Sequence, residues 1–163
     1  MKQIAFLLLP FLINGCQPNL KKEGEKIKIT GSENIEAAVT TGNVIPYTVA
    51  KNYFVKNSVT DTVACKITTR NEFDRLFGMA TIMGENGKPT PVDFDKEYVI
   101  AVIRPVTDSS TTLIPVSLEK TKEDAILFSY KTETGKKQTY SVHPCLIIVV
   151  DKRYNGTVTI QEI

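Results

Sequence analysis

The chain reads as an α+β domain: a mostly antiparallel β-sheet of about six or seven strands with one short helix packed on it. Three observations predict this. Tyr98-Val99-Ile100-Ala101-Val102-Ile103 and Cys145-Leu146-Ile147-Ile148-Val149-Val150 are apolar at both parities, which marks strands buried on both faces. Between them, Ile114, Val116 and Leu118 alternate with Pro115, Ser117 and Glu119, and Ile126, Phe128 and Tyr130 alternate with Leu127, Ser129 and Lys131. That is the period of a half-buried hairpin. The clearest helical spacing in the chain begins at Thr69.

Ahead of this domain, Lys2 gives a positive start, Ile4 to Ile13 form a short apolar core, and Asn14-Gly15-Cys16 ends the run. This is the pattern of a secretory signal. The apolar core is too short for a permanent span, which takes about twenty residues. Ile13-Asn14-Gly15-Cys16 resembles the bacterial lipobox, so Cys16 is the expected lipidation site. Each buried acyl CH₂ contributes about 0.8 kcal/mol, and several chains on one cysteine give stable attachment. Residues 1–15 are therefore expected to be a signal peptide. Residues 16–34, polar and mixed in charge from Gln17 to Lys26, are expected to be a flexible tether. Residues 35–163 form the single domain, held at the cell envelope, at the periplasmic or surface face of the outer membrane.

Bulk properties remove several function classes. Lys and Arg number 20 against 18 Asp and Glu, a balance without the basic footprint of a nucleic-acid binder. A hydrophobic fraction of 42% is enough for a folded core and excludes wholesale disorder.

Taken in order, Tyr47, Val49, Tyr53 and Val55 share one parity with Lys51 as the exception, and β-branched and aromatic residues dominate there, predicting a strand. Asn57-Ser58 turns the chain, and Val63 to Ile67 is a second strand. Thr69 caps the helix and Glu72 completes a capping box. Phe73, Leu76, Phe77 and Ala80 then fall at i, i+3, i+4 and i+7, one apolar face for packing on a sheet. Gly84-Glu85-Asn86-Gly87-Lys88-Pro89-Thr90-Pro91 is the main loop, and Asp108-Ser109-Ser110-Thr111-Thr112 is expected to be another. Pro115 favours an edge or a bulge in its strand. Thr134-Gly135-Lys136-Lys137 reads as a further loop. Asn155-Gly156 predicts a hairpin into a last strand with Val158 and Ile160, since both residues tolerate positive φ.

Chemistry is sparse. His143 is the only histidine, in Ser141-Val142-His143-Pro144-Cys145, where a strand entering the core would bury Cys145 as an inert thiol. Nothing completes a tetrahedral metal set around His143 and Cys145. No opposed carboxylate pair stands out for glycoside chemistry. No catalytic residue, metal or cofactor is expected. Cys65 and Cys145 lie in strand-like stretches of an exported chain. A disulfide between them and two buried free thiols are both open.

Three segments carry a resemblance. Asn71-Glu72-Phe73-Asp74-Arg75-Leu76-Phe77 is similar to the short helix, Pro91 to Val102 to the entry into a central strand, and Pro144 to Lys152 to the closing strand of the PrcB C-terminal domain family. That family is named for a lipoprotein that stabilises a surface protease complex. The likeness runs from Cys65 to Ile163, and Asp108 to Thr112 stand where the family carries a Thr-Gly-Gly turn. The resemblance implies a binding or stabilising subunit rather than an enzyme. The expected partner is a protein, such as a secreted protease. Contacts are expected from Glu85, Asn86, Lys88 and Thr90 in the first loop and Asp108, Ser109, Ser110 and Thr111 in the second, because loops on rigid sheets carry recognition. A protease inhibitor is the second reading, and an enzyme using His143 the third.

Overall fold

A computed structural model of the chain describes residues 43–163 apart from positions 82, 85, 86 and 123. The expected signal peptide, Cys16, the tether, the boundary at residue 35, and Glu85 and Asn86 lie outside the described residues.

The two doubly apolar runs sit where their composition demands. Strand β5 (Glu97–Ile103) and strand β8 (Cys145–Asp151) pair antiparallel. They lie at the centre of a four-stranded sheet whose edges are β1 (Thr48–Val49) against β8 and β3 (Val63–Ile67) against β5. From Tyr98 to Ile103 every β5 side chain is buried. The pleat sends alternate residues to opposite faces, and each face has its own core. Tyr98, Ile100, Val102, Leu146, Ile148 and Val150 pack on one side with Leu118, Ile126 and Phe128. Val99, Ala101, Ile103, Ile147 and Val149 pack on the other with Ile67, Phe73 and Phe77.

The first of those faces is covered by a second sheet. β6 (Thr107–Lys122) and β7 (Ala125–Val142) form a long antiparallel hairpin, joined by β9 (Thr157–Glu162) along β7. The second face is covered by helix α1 (Arg70–Leu76) and a small ribbon of β2 (Tyr53–Val55) with β4 (Phe77–Met79). Among the described residues there are thus nine strands in three sheets, not six or seven in one. A strand that is apolar on both faces needs a layer on each side, and the hairpin and the ribbon supply them.

The capping box is as expected: the Thr69 side chain accepts from the Glu72 backbone, and the Glu72 carboxylate accepts from the Thr69 backbone. The helix stops sooner than its apolar spacing suggested. Phe77 turns extended at φ −121° and ψ 148° and opens β4, so Ala80 is not on the helix. Phe73, Leu76 and Phe77 fit either course of the chain, and cross-strand pairing of Phe77, Gly78 and Met79 with Val55, Phe54 and Tyr53 decides it. At Gly78 the Phe54 ring lies across the backbone, and a Cβ there would come within 2.4 Å of it and push the ring aside.

Four other expectations change. The first strand breaks into β1 and β2 at Asn52, which sits at φ 62°, a left-handed conformation that Asn tolerates. Asp108, Ser109, Ser110 and Thr111 are not a loop but the start of β6. Thr107 Oγ1 accepts from the Ser109 backbone N–H and Thr111 Oγ1 donates to the Ser109 carbonyl, while register shifts absorb the irregularity. Residues 134–137 lie inside β7, with Gly135 against Ser110. Asn155-Gly156 makes no hairpin. Asn155 has φ −80°, and β9 runs parallel to β7 instead of back along β8. A short 3₁₀ turn, Lys152–Tyr154, capped by the Asp151 carboxylate, carries the chain from one sheet to the other.

The β6–β7 pairing is as the alternation predicts, with one correction. A register shift between Pro115 and Ser117 changes the inward parity, so Leu113 and Leu118 are buried while Val116 is exposed. The proline marks that bulge.

Candidate protein-docking groove

Within the loop that the sequence singled out, residues 88–90 are fastened by hydrogen bonds to residues 51–53, which lead into β2. The Lys51 N–H donates to Thr90 Oγ1 at 2.9 Å and the Thr90 N–H returns a bond to the Lys51 carbonyl at 3.1 Å. Asn52 Nδ2 donates to the Lys88 carbonyl at 2.9 Å, and the Tyr53 hydroxyl donates to the Thr90 carbonyl at 2.7 Å. Residues 88–90 therefore form a wall on a strand, and Thr90 is part of what holds it there.

Beyond the wall the chain passes α1. Arg70 Nη2 donates to the Val92 carbonyl at 2.6 Å, and its guanidinium lies 4.9 Å from the Phe94 ring centre and 5.9 Å from that of Phe73. The bond and the two ring contacts hold the guanidinium in place. Tyr53 packs edge-on against Phe73 with centroids 5.1 Å apart. Between these elements opens a groove of about 410 Å³. It is lined by Tyr53, Met79, Arg70 and Asp74 together with Lys88, Pro89, Pro91 and Val92. Met79 is 65% exposed at its edge, and Phe54 and Met83 expose apolar surface on the same connected segments.

The charged side chains of the groove close no ion pair among the described residues. Ion pairs among the described residues, such as Lys137 with Asp108 at 2.8 Å and Arg104 with Glu162 at 3.1 Å, lie elsewhere, and none of them involves Lys51, Arg70, Asp74 or Lys88. Burial pushes the Tyr53 phenol above its ordinary value, with the Arg70 guanidinium opposing the shift and the Asp74 carboxylate adding to it. At neutral pH the phenol is thus a neutral donor.

The second set of expected contact residues is not brought to this groove. Asp108 is paired with Lys137, and the Ser109 backbone is engaged by Thr107 and Thr111. Thr111 borders a separate cleft of about 340 Å³ with Arg104, Thr107, Thr132 and Pro144. Among the described residues, Lys88 is the expected contact that lines this groove. Sequence reasoning missed Tyr53, Arg70 and Met79. Arg70 precedes an apolar helical face, and its role shows only once the fold brings Val92 and Phe94 alongside.

The cysteines are free thiols. Cys65 is opposite Ala101 and Cys145 is opposite Ile103, with β5 between their strands. Strands lie about 4.8 Å apart, so sites two strands apart exceed the roughly 7 Å Cα limit of a bridge. The disulfide is ruled out in this fold. Burial pushes the Cys145 thiol up to about 11, and burial with the Glu72 carboxylate pushes Cys65 up. Both stay protonated at neutral pH and are poor nucleophiles.

Among the described residues no cluster of His, Cys, Asp or Glu could hold a metal ion, and no helix is long and apolar enough to cross a membrane. Compared with models of known families, with curated proteins and with solved structures, the chain matches none.

Proposed function

We propose that the chain is a binding module held to the bacterial envelope by a lipid on Cys16, serving as an accessory or stabilising subunit of an envelope protease or another envelope protein complex. One observation carries this: the groove beside residues 88–92 combines exposed apolar surface with unpaired charge on a frame already fastened to the sheet. A fixed frame lowers the ordering cost of association, and aromatic, Met and Arg side chains are enriched where proteins meet. The likeness to the PrcB C-terminal domain family adds the protease complex to this reading. Catalysis is not part of it, since the thiol nearest His143 in sequence, Cys145, is held protonated by burial.

Capture from envelope extract with the full-length protein tests the proposal. The wild type is expected to retain a defined protein that Met79→Asp and Lys88→Glu release, both side chains being exposed. Retention unchanged by both substitutions contradicts it. The second reading, a protease inhibitor, is favoured by Met83, fully exposed at the start of the loop. Adding the protein to the captured protease separates the two: a stabilising subunit preserves its activity over time, and an inhibitor abolishes it at once.

A further inference from the structure

We infer that the groove takes an extended acidic segment of its protein partner, with an apolar side chain laid against the cross-strand pair Tyr53 and Met79 and carboxylates meeting Arg70 and Lys88. This rests on the binding-module reading and names the chemistry of the partner.

Charge decides the sign. The groove presents two cations, Arg70 and Lys88, against one carboxylate, Asp74, and none of the three makes an ion pair among the described residues. Arg70 is held in place before a partner arrives. It is bonded to the Val92 carbonyl, lies over the Phe94 ring and interacts with the Tyr53 hydroxyl, and with five N–H donors it keeps capacity for a carboxylate. Asp74 lies one helical turn from Arg70, about 5–6 Å away. An extended chain advances about 3.3 Å per residue, so a carboxylate set against Arg70 leaves the residues that follow it to pass Asp74 as backbone or apolar groups.

The same features argue against a phosphate or an anionic lipid headgroup. A phosphate concentrates about two negative charges at one point beside Asp74, whereas an extended segment spaces single carboxylates along its length and can pass Asp74 with an uncharged residue. Most of the remaining lining is apolar, with Tyr53, Met79 and Val92 facing the space. At about 410 Å³ the groove is near the small end of ligand sites, the size for a few residues of chain.

The test uses the full-length protein in detergent and fluorescent capped peptides in a Gly-Ser host. One peptide carries Asp and Glu flanking a central Leu. A second replaces the acids by Gln, a third by Lys, and a fourth replaces Leu by Gly. The first is expected to bind, with affinity falling as salt rises. The Gln and Gly peptides are expected to be about tenfold weaker or worse, the scale of one charge-assisted contact, and the Lys peptide not to bind. Met79→Asp and Lys88→Glu are each expected to weaken the first peptide about tenfold at unchanged melting temperature. Equal binding of acidic and Gln peptides overturns the inference, as does no binding of any peptide. Displacement of the acidic peptide by inorganic phosphate or phosphatidylglycerol vesicles, with Met79→Asp silent, overturns it in favour of a phosphate site. If the peptides fail while Met79→Asp and Lys88→Glu still release the captured protein, the binding-module reading stands and the acidic segment alone falls.

Discussion

Cys145 shows how burial writes pH dependence into single residues. Its thiol is pushed from an ordinary 9.0 up to about 11 by loss of solvent. An acid with a raised folded pKa holds its proton in the folded chain after the unfolded chain has lost it. The folded state binds more protons between those values, so stability is full below about pH 9 and is lost as pH rises through the window. Two units correspond to roughly 2–3 kcal/mol. Tyr98, pushed up to about 12 by burial, acts in the same direction at higher pH. Urea unfolding at pH 8, 9.5 and 11 is expected to show this fall, and Cys145→Ala is expected to make it shallower. Identical slopes in the two proteins would remove burial of this thiol as the cause. The sequence showed that Cys145 enters an apolar strand. It did not show that Cys65 lies beyond an intervening strand, since pairing order is a property of the sheet.

Elements were legible where local chemistry is strong and blurred where tertiary pairing chooses. The Thr69 cap and Glu72 box are local, and the helix start was read correctly. Its end was not, because Phe77 serves equally as a helical or a strand residue until it pairs with Val55. In the same way Asp108 to Thr111 look like a loop by composition, yet opposite Thr134 to Lys137 they continue a ladder. Helix α1 also lines part of the groove, so its cap supports the site. Thr69→Ala removes a bond to the Glu72 N–H, and such caps contribute about 1 kcal/mol. Chemical denaturation is expected to show a loss of that size. Binding at Arg70 and Asp74 is expected to weaken less than with Lys88→Glu, because the helix still packs through Phe73.

At the scale of the molecule, the doubly apolar strands announced that β5 and β8 would be central, and they organise everything else. What the sequence withheld was how the cover divides: a long hairpin with β9 on one face, α1 with a short ribbon on the other. Sequence separations this long are set by which face each amphipathic strand finds, and a single bulge such as that after Pro115 inverts a prediction. Because β5 and β8 belong to both cores, damage at their centre is expected to be felt throughout. Ile148 is fully buried against Ile100 and Phe128 in one core. Ile148→Ala is expected to cost about 2–5 kcal/mol in a single unfolding transition, read by denaturant titration with two spectroscopic probes. The groove lies against the outer layer of this frame, and so it was only partly legible. Its loop, with Lys88, was visible in the sequence, while Tyr53, Arg70 and Met79 reach it from three other elements.

Crosslinking from the edge of the groove asks whether a protein partner docks there. A photoreactive residue is placed at Met79, at Lys88 or at Lys136 on the exposed stretch of β7, in the full-length protein in intact cells. One common protein is expected to be crosslinked from positions 79 and 88 and to be absent from 136. The same protein crosslinked equally from all three, or from 136 alone, would contradict docking in the groove.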